Sequence, residues 1–324
     1  MGERKIKTIL VTGGAGFIGS HVCDALLLKD YKVVCIDNFN NYYDEMKKKK
    51  NIKHNLTNKD FKLYYLDIKD KFQLKKIFIY NDIDAIIHIA AKAGVRYSVE
   101  HPQEFQDDNN KATMNMLEMA RDFKVENFIF ASSSSVYGNG NRLPSKETDK
   151  VDTPISPYAA SKKSCELMAH AFSDNHSIPV TCLRFFTVYG PRGRPDMAPY
   201  GFIDKIWNGE TITRHGDGNS YRDYTYISDI VGGIISSLEA PTPYEVINLG
   251  NSNPIKLNKF IGTVEYVMGA DAEQVVVEMP RGNALNTHAD ITKAKKLLGY
   301  KPKVKLKEGL SNLFDWYIDN EISN

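Results

Sequence analysis

Tyr158 and Lys162, in the stretch Pro157-Tyr158-Ala159-Ala160-Ser161-Lys162, are the residues whose types and spacing most directly suggest chemistry. The stretch favours a helix, and a separation of four puts both side chains on one face, one turn apart. A free tyrosine has a pKa of about 10, too high for a base at neutral pH. A neighbouring ammonium favours the phenolate and brings it toward the operating range. Alone, the pair fits a plain surface helix equally well. Upstream, Ala131-Ser132-Ser133-Ser134-Ser135-Val136-Tyr137-Gly138 follows an apolar strand candidate. Hydroxyls at a strand's carboxyl end can hydrogen-bond a reacting alcohol, although a serine-rich turn needs no such role.

A second signal stands near the start of the chain. Thr8–Thr12 runs directly into Gly13-Gly14-Ala15-Gly16-Phe17-Ile18-Gly19, and a helical pattern follows. The glycines at the first, fourth and seventh places form a variant of the dinucleotide fingerprint. Gly13 permits the tight turn, Gly16 lets the backbone approach a pyrophosphate, and Gly19 lets helix pack on strand. The next apolar run ends at Asp37, a carboxylate placed to accept hydrogen bonds from ribose hydroxyls and to repel a 2′-phosphate. NAD is therefore expected rather than NADP. A positively charged nicotinamide ring would add to the pull of Lys162 on Tyr158. Together, the glycine turn, the serines and the Tyr/Lys pair form a constellation none of them makes alone.

These residues need elements to hold them. Strand candidates are Thr8–Thr12, Lys32–Ile36, Phe61–Leu66, Ala85–Ala90, Asn127–Ala131 and Val180–Phe185, alternating with helical patterns such as Ile18–Leu28 and Ala112–Asp122. Such alternation predicts a parallel sheet covered on both faces, doubly wound by right-handed crossovers. The fold expected is an α/β Rossmann sheet with a smaller C-terminal substrate-binding α/β lobe. After Gly190 the rhythm changes. Pro, Gly and Tyr become frequent, and helical patterns return at Ile227–Leu238, Leu257–Met268, Ile291–Leu298 and Leu306–Trp316. The division expected is 1–190 for the dinucleotide and the Tyr/Lys pair, and 191–324 mainly for substrate.

Composition narrows the class. The chain has 324 residues, enough for a large core or for a nucleotide-binding domain with a smaller lobe. Lys plus Arg is 42 against 40 for Asp plus Glu, so nothing points to nucleic acid as the partner. The run Lys47–Lys50 is the one local excess and reads as a solvated face. The four cysteines, Cys23, Cys35, Cys165 and Cys182, show no metal-ligand spacing, so no metal is expected. Cys35 and Cys182 lie in apolar runs and read as buried thiols of a reducing compartment. No signal peptide is visible, and no stretch approaches the roughly 20 apolar residues that span a bilayer. A soluble, cytoplasmic protein with no membrane partner is expected.

With these motifs in place, the sequence resembles the extended short-chain dehydrogenase/reductases that act on nucleotide sugars, over essentially its whole length. Its nearest likeness is to the UDP-glucuronate 4-epimerase branch. The residues that carry this are Ala90-Ala91-Lys92-Ala93-Gly94-Val95-Arg96, Ser132–Gly138, Arg184-Phe185-Phe186-Thr187-Val188-Tyr189-Gly190-Pro191, Arg194-Pro195-Asp196-Met197-Ala198 and Tyr221-Arg222-Asp223-Tyr224-Thr225-Tyr226. The resemblance implies Ser133 bridging the sugar O4 and Tyr158, with Tyr158 the proton acceptor and Lys162 its electrostatic partner. It implies cofactor contacts from Phe17, Ile18, Asp37, Asn38, Asn40, Asp67, Ile68, Ala90, Ala91, Lys92 and Asn109. For substrate it implies Ser133, Ser134, Thr187, Arg194, Arg222 and Arg281. Thr187 and Arg194 would grip the sugar carboxylate, and Arg222, with help from Arg281, the diphosphate. The segment Met279-Pro280-Arg281-Gly282-Asn283 departs from the branch's usual Gln-Pro-Gly-Asp. A homodimer through helices near Lys111–Phe123 and Tyr158–Asn175 is also implied.

Related dehydratases and decarboxylases carry an acidic residue just before the Val-Tyr-Gly. This chain has Ser134-Ser135 there, so the dehydratase chemistry lacks its acid. The implied activity is C4 inversion of a UDP-sugar through a recycled, tightly bound NAD. UDP-glucose-type neutral-hexose epimerases remain the alternative of the same class. A non-catalytic NAD-binding sensor is the alternative of another class, and it predicts loss of Tyr158, Lys162 or the serine.

Overall fold

The computed structural model describes residues 7–139, 142–279 and 282–322. Short β-branched runs form the sheet: β1 (Thr8–Thr12), β2 (Lys32–Asp37), β3 (Phe61–Tyr65), β4 (Ala85–His88), β5 (Asn127–Ser133) and β6 (Val180–Phe185). Near-continuous burial along β4 and β6 is what a parallel sheet covered on both faces requires. A seventh strand, β7 (Tyr244–Leu249), pairs parallel with β6. The order is β3-β2-β1-β4-β5-β6-β7, all parallel, so the winding reverses between β1 and β4. A crevice opens beyond the strands' carboxyl ends at such a switch point.

Five helices matter to the site: α1 (Phe17–Leu27), α2 (Glu45–Ile52), α3 (Ala112–Asp122), α4 (Pro157–His176) and α5 (Ile227–Glu239). α1 and α5 pack together on one face, α3 and α4 on the other. Each face has its own apolar cluster, one around Ile9, Val11 and Ile87, the other around Leu10, Ile86 and Phe128. All four cysteines are buried and free.

The six strands read from the sequence are present, with ends shifted by at most two residues. β5 runs on through Ser133, which sets that hydroxyl at the strand's tip. β7 is new. It comes from the part of the sequence read as substrate lobe, so the chain returns to the sheet after leaving it. Beyond the sheet, Thr187–Tyr189 pairs with Tyr224–Tyr226, Tyr221–Arg222 with Ile255–Lys256, and Ile212–His215 with Gln274–Val277. Of these ladders, Thr187, Val188 and Arg222 reach the crevice, and the helices Leu257–Met268 and Leu306–Tyr317 pack against each other.

Candidate active site

One cavity of about 730 Å³ occupies the crevice, within the range of small-molecule sites. At one end lies the glycine turn. Gly13 has φ +67°, and a Cβ there would meet the Ala90 backbone at 2.9 Å. At Gly19 a Cβ would stand 2.1 Å from the Gly13 carbonyl oxygen, so helix and turn could not close together. Gly16 caps α1 without a side chain, and the first turn of α1 carries no acid. The free N–H groups of that turn therefore remain available to an anion. The residues present fit a dinucleotide.

Asp37, the last residue of β2, lines the same cavity. Its Oδ2 accepts from the Ala15 N–H at 3.0 Å and its Oδ1 from the Phe39 N–H at 2.8 Å. Burial pushes its pKa up, against those two bonds and the charge of Lys48. Here the structure corrects the reading of Lys47–Lys50. The run is the helix α2, but Lys48 turns inward, 4% exposed, and donates to Asn40 at its carbonyl (2.7 Å) and Oδ1 (2.9 Å). The inward face of α2 buries Lys48 with Asn51 and Ile52, and a charge-run argument ignores which residues fall on that face. Asn38, Asn40, Asp67, Ile68, Ala90, Ala91 and Lys92 also line the cavity. Asn109 is not on that wall. It is buried behind it, accepting from the Lys92 N–H at 2.7 Å and donating to the Lys92 carbonyl at 3.1 Å and the Ser161 hydroxyl at 2.9 Å.

Mid-cavity, Ser156 caps α4 by accepting from the Ala159 N–H at 3.1 Å, and Pro157 opens the helix. This places Tyr158 in the first turn, its ring edge-on to buried Phe105. Burial pushes the phenol's pKa up, and Ser133 and the Arg194 guanidinium pull against it. Lys162 lies one turn on, 3% exposed, its Nζ donating to the Ala131 carbonyl at 2.6 Å. Burial lowers its pKa to about 8. Arg194 thus adds its charge to the Tyr158 side of the cavity, while the Lys162 ammonium is fastened to β5 one turn away. Ser133 Oγ accepts from the N–H of Ser135 at 3.2 Å and its hydroxyl at 3.0 Å.

At the far end Thr187, Arg194 and Arg222 all line the cavity. Arg222 donates from Nη1 to the Leu285 carbonyl at 2.6 Å and from Nη2 to the Ala284 carbonyl at 2.5 Å. Buried Asp223 braces that strand by accepting from the N–H groups of Asn251, Ser252 and Ala289. Arg281 lies outside the described residues. Among the described residues, no cluster of three or more His, Cys, Asp or Glu could hold a metal ion. No helix among them is long and apolar enough to cross a membrane. Tyr42 and Glu166 were not singled out by the sequence, and Lys48, Arg184 and Asp196 entered it only inside longer stretches, with no role of their own.

A parallel sheet with a glycine-rich first turn, and a Tyr/Lys helix and serine hydroxyls lining the same crevice, define a dinucleotide-dependent fold of the short-chain dehydrogenase/reductase type. The family model described as GDP-mannose 4,6 dehydratase matches residues 10–313. A Thermodesulfobacterium geofontis protein named UDP-glucuronate 4-epimerase is 43% identical over 96% of each chain. The Bacillus cereus UDP-glucuronic acid 4-epimerase, solved with UDP-glucuronic acid and NAD, is 38% identical, with TM-score 0.90 over 96% of this chain and 99% of that one. The Thermotoga maritima UDP-glucose 4-epimerase, solved with UDP-glucose, is 32% identical, with TM-score 0.89 over 97% and 99%. The chain belongs to the extended short-chain dehydrogenase/reductase family that this model describes.

Proposed function

We propose that this protein is an NAD-dependent UDP-glucuronate 4-epimerase, converting UDP-glucuronate to UDP-galacturonate. The observation that carries the reading is a guanidinium, Arg194, set in the same chamber as Tyr158 and Ser133 and close enough to act on the phenol. A uronate bound there with its O4 at Tyr158 brings its own anion to a cation. A relative of that name at 43% identity supports it.

Gly13, Gly16, Phe17, Ile18 and Gly19 would hold the pyrophosphate of NAD, Asp37 and Asn38 its ribose, and Ala91 and Lys92 its remaining half. Bound NAD supplies a reversible acceptor for the C4 hydride. Tyr158 takes the O4 proton, Ser133 orients O4 by hydrogen bonding, and Lys162 adds positive charge beneath the site. Arg222 draws the diphosphate, and Thr187 with Arg194 grips the carboxylate. The 4-keto sugar turns and takes the hydride back on its opposite face. At Ser134-Ser135 there is no acid to expel the C6 substituent. Residues 1–190 serve mainly NAD and residues 191–324 mainly the UDP-sugar. The reading includes a homodimer through α3 and α4, supported by exposed Leu167, and a cytoplasmic location, supported by four free thiols.

A panel of UDP-glucuronate, UDP-glucose and UDP-N-acetylglucosamine, assayed for C4 inversion, tests this. UDP-glucuronate should show the highest kcat/KM. A preference for UDP-glucose would overturn the assignment in favour of a neutral-hexose epimerase.

A further inference from the structure

Arg194 is held in an unusual way for a residue that must bind an anion: it already has one. Asp196 Oδ1 accepts from its Nε at 2.9 Å and Oδ2 from its Nη2 at 2.5 Å. This is the side-on fork of the guanidinium. The end-on fork, one N–H from each Nη, receives no acceptor among the described residues. Beneath the plane lies the Tyr42 ring, 5.2 Å from Cζ to centroid, with the Tyr42 hydroxyl 3.5 Å from Asp196 Oδ2. Tyr42 is fixed in turn. Tyr97 stands edge-on to it at 5.7 Å, and Gly94, at φ +128°, leaves room where a Cβ would lie 2.3 Å from the Tyr42 hydroxyl. Pro195 stiffens the link between the paired residues.

We propose that Asp196 and Tyr42 are positioning residues that fix the Arg194 guanidinium plane and leave its end-on fork for the substrate carboxylate. This rests on the UDP-glucuronate reading and deepens it. A planar fork can bind two carboxylates at once, one on each edge, and both then share its plane. The tilt of that plane sets the tilt of the uronate carboxylate about C5. That angle decides the fate of the 4-keto intermediate, which is a β-keto acid. When the C5–C6 bond aligns with the carbonyl π system it breaks. Its electron pair enters the C4 carbonyl as an enolate, CO2 leaves, C5 takes a proton from water, and return of the C4 hydride to the 4-keto pentose gives UDP-pentose. With the carboxylate held near the carbonyl plane that alignment is denied, and hydride return wins. Asp196 therefore controls product identity without touching the sugar.

Asp196→Asn keeps the shape and removes the charge and one acceptor; Tyr42→Leu removes the ring. In both holoenzymes the preference for UDP-glucuronate over UDP-glucose should fall about tenfold, as expected for loosening one charged hydrogen bond. The share of turnover ending in UDP-pentose and CO2 should rise severalfold. A merely structural role would lower both sugars equally and yield no pentose, which would overturn the proposal. Tighter binding of UDP-glucuronate to Asp196→Asn would also overturn it, because Asp196 would then be a competitor for the fork. Calorimetric binding of the two UDP-sugars gives a readout independent of turnover. If the native protein fails to invert UDP-glucuronate, the functional reading fails; if Asp196→Asn binds that sugar with unchanged affinity, the positioning role fails by itself.

Discussion

Glu166 receives both prongs of the Arg184 guanidinium, Nε and Nη2 each at 2.8 Å, one turn along α4 from Lys162. Both residues are fully buried, and Ser132 adds its hydroxyl to Glu166 Oε1 at 2.7 Å. The ion pair fastens β6 to α4, and the Ser132 hydroxyl fastens to the same helix the strand bearing Ser133. Burial pushes the Glu166 pKa up, but the bonds and charge of Arg184, with Ser132, outweigh it and hold the carboxyl below its usual range.

Arg184→Met strands a buried carboxylate and should destabilise the protein by about 3–5 kcal/mol at pH 7 in urea unfolding. Arg184→Met with Glu166→Leu should recover most of this. The depressed pKa makes the pair's contribution full above the unfolded carboxylate value, and it fades as pH falls through the folded one. The single variant's deficit should shrink in acid. A double variant as unstable as the single would contradict the account.

Tyr158→Phe keeps the ring against Phe105 and deletes the ionisable hydroxyl. Fold and NAD content should survive while turnover falls about 10²- to 10⁴-fold, as general-base loss does. Near-native turnover would show that the proton leaves by another route.

Lys162 sacrifices stability for its place under the site. Its folded pKa, about 8, lies below the value of an exposed lysine, so its buried ammonium is destabilising at every pH below about 8. The penalty fades as pH rises from there toward about 10.5, where the unfolded chain loses the same proton. Lys162→Met should therefore stabilise NAD-stripped protein by roughly 1–2 kcal/mol at pH 7, after loss of the bond to Ala131. The gain should be smaller at pH 10, and turnover should collapse throughout. A destabilised variant at pH 7 would contradict the cost assigned to burial.

Asp37 should bar NADP, because a 2′-phosphate would face a buried carboxylate. Stripped protein should regain activity with NAD and not with NADP, and Asp37→Asn should narrow that gap. Equal reactivation of the native protein by both would remove Asp37 from cofactor choice.

The parts legible in the sequence were local. The glycine turn, the Tyr/Lys helix and the serines each need only a short segment to take shape, and the structure gathers them around one cavity. Strand β7 escaped because its core is partly polar. Asn248 is buried, yet it bonds Tyr137 and the carbonyls of Ser145 and Asp290, so Tyr-Glu-Val-Ile-Asn-Leu lacks an apolar run. Lys48 escaped because it reads as one of four lysines until the packing of α2 selects it. The Glu166–Arg184 pair depends on α4 meeting β6, and the Tyr42–Arg194 stack joins segments 152 residues apart; no local periodicity encodes either meeting.

The central claim is transient oxidation at C4 within one closed site. UDP-glucuronate deuterated at C4 tests it most directly, by NMR and mass analysis of the product after incubation in ordinary water. The account predicts UDP-galacturonate that keeps its deuterium at C4, with turnover slowed by the label. Solvent hydrogen at C4, or recovery of the deuterated substrate with no inversion, would contradict it.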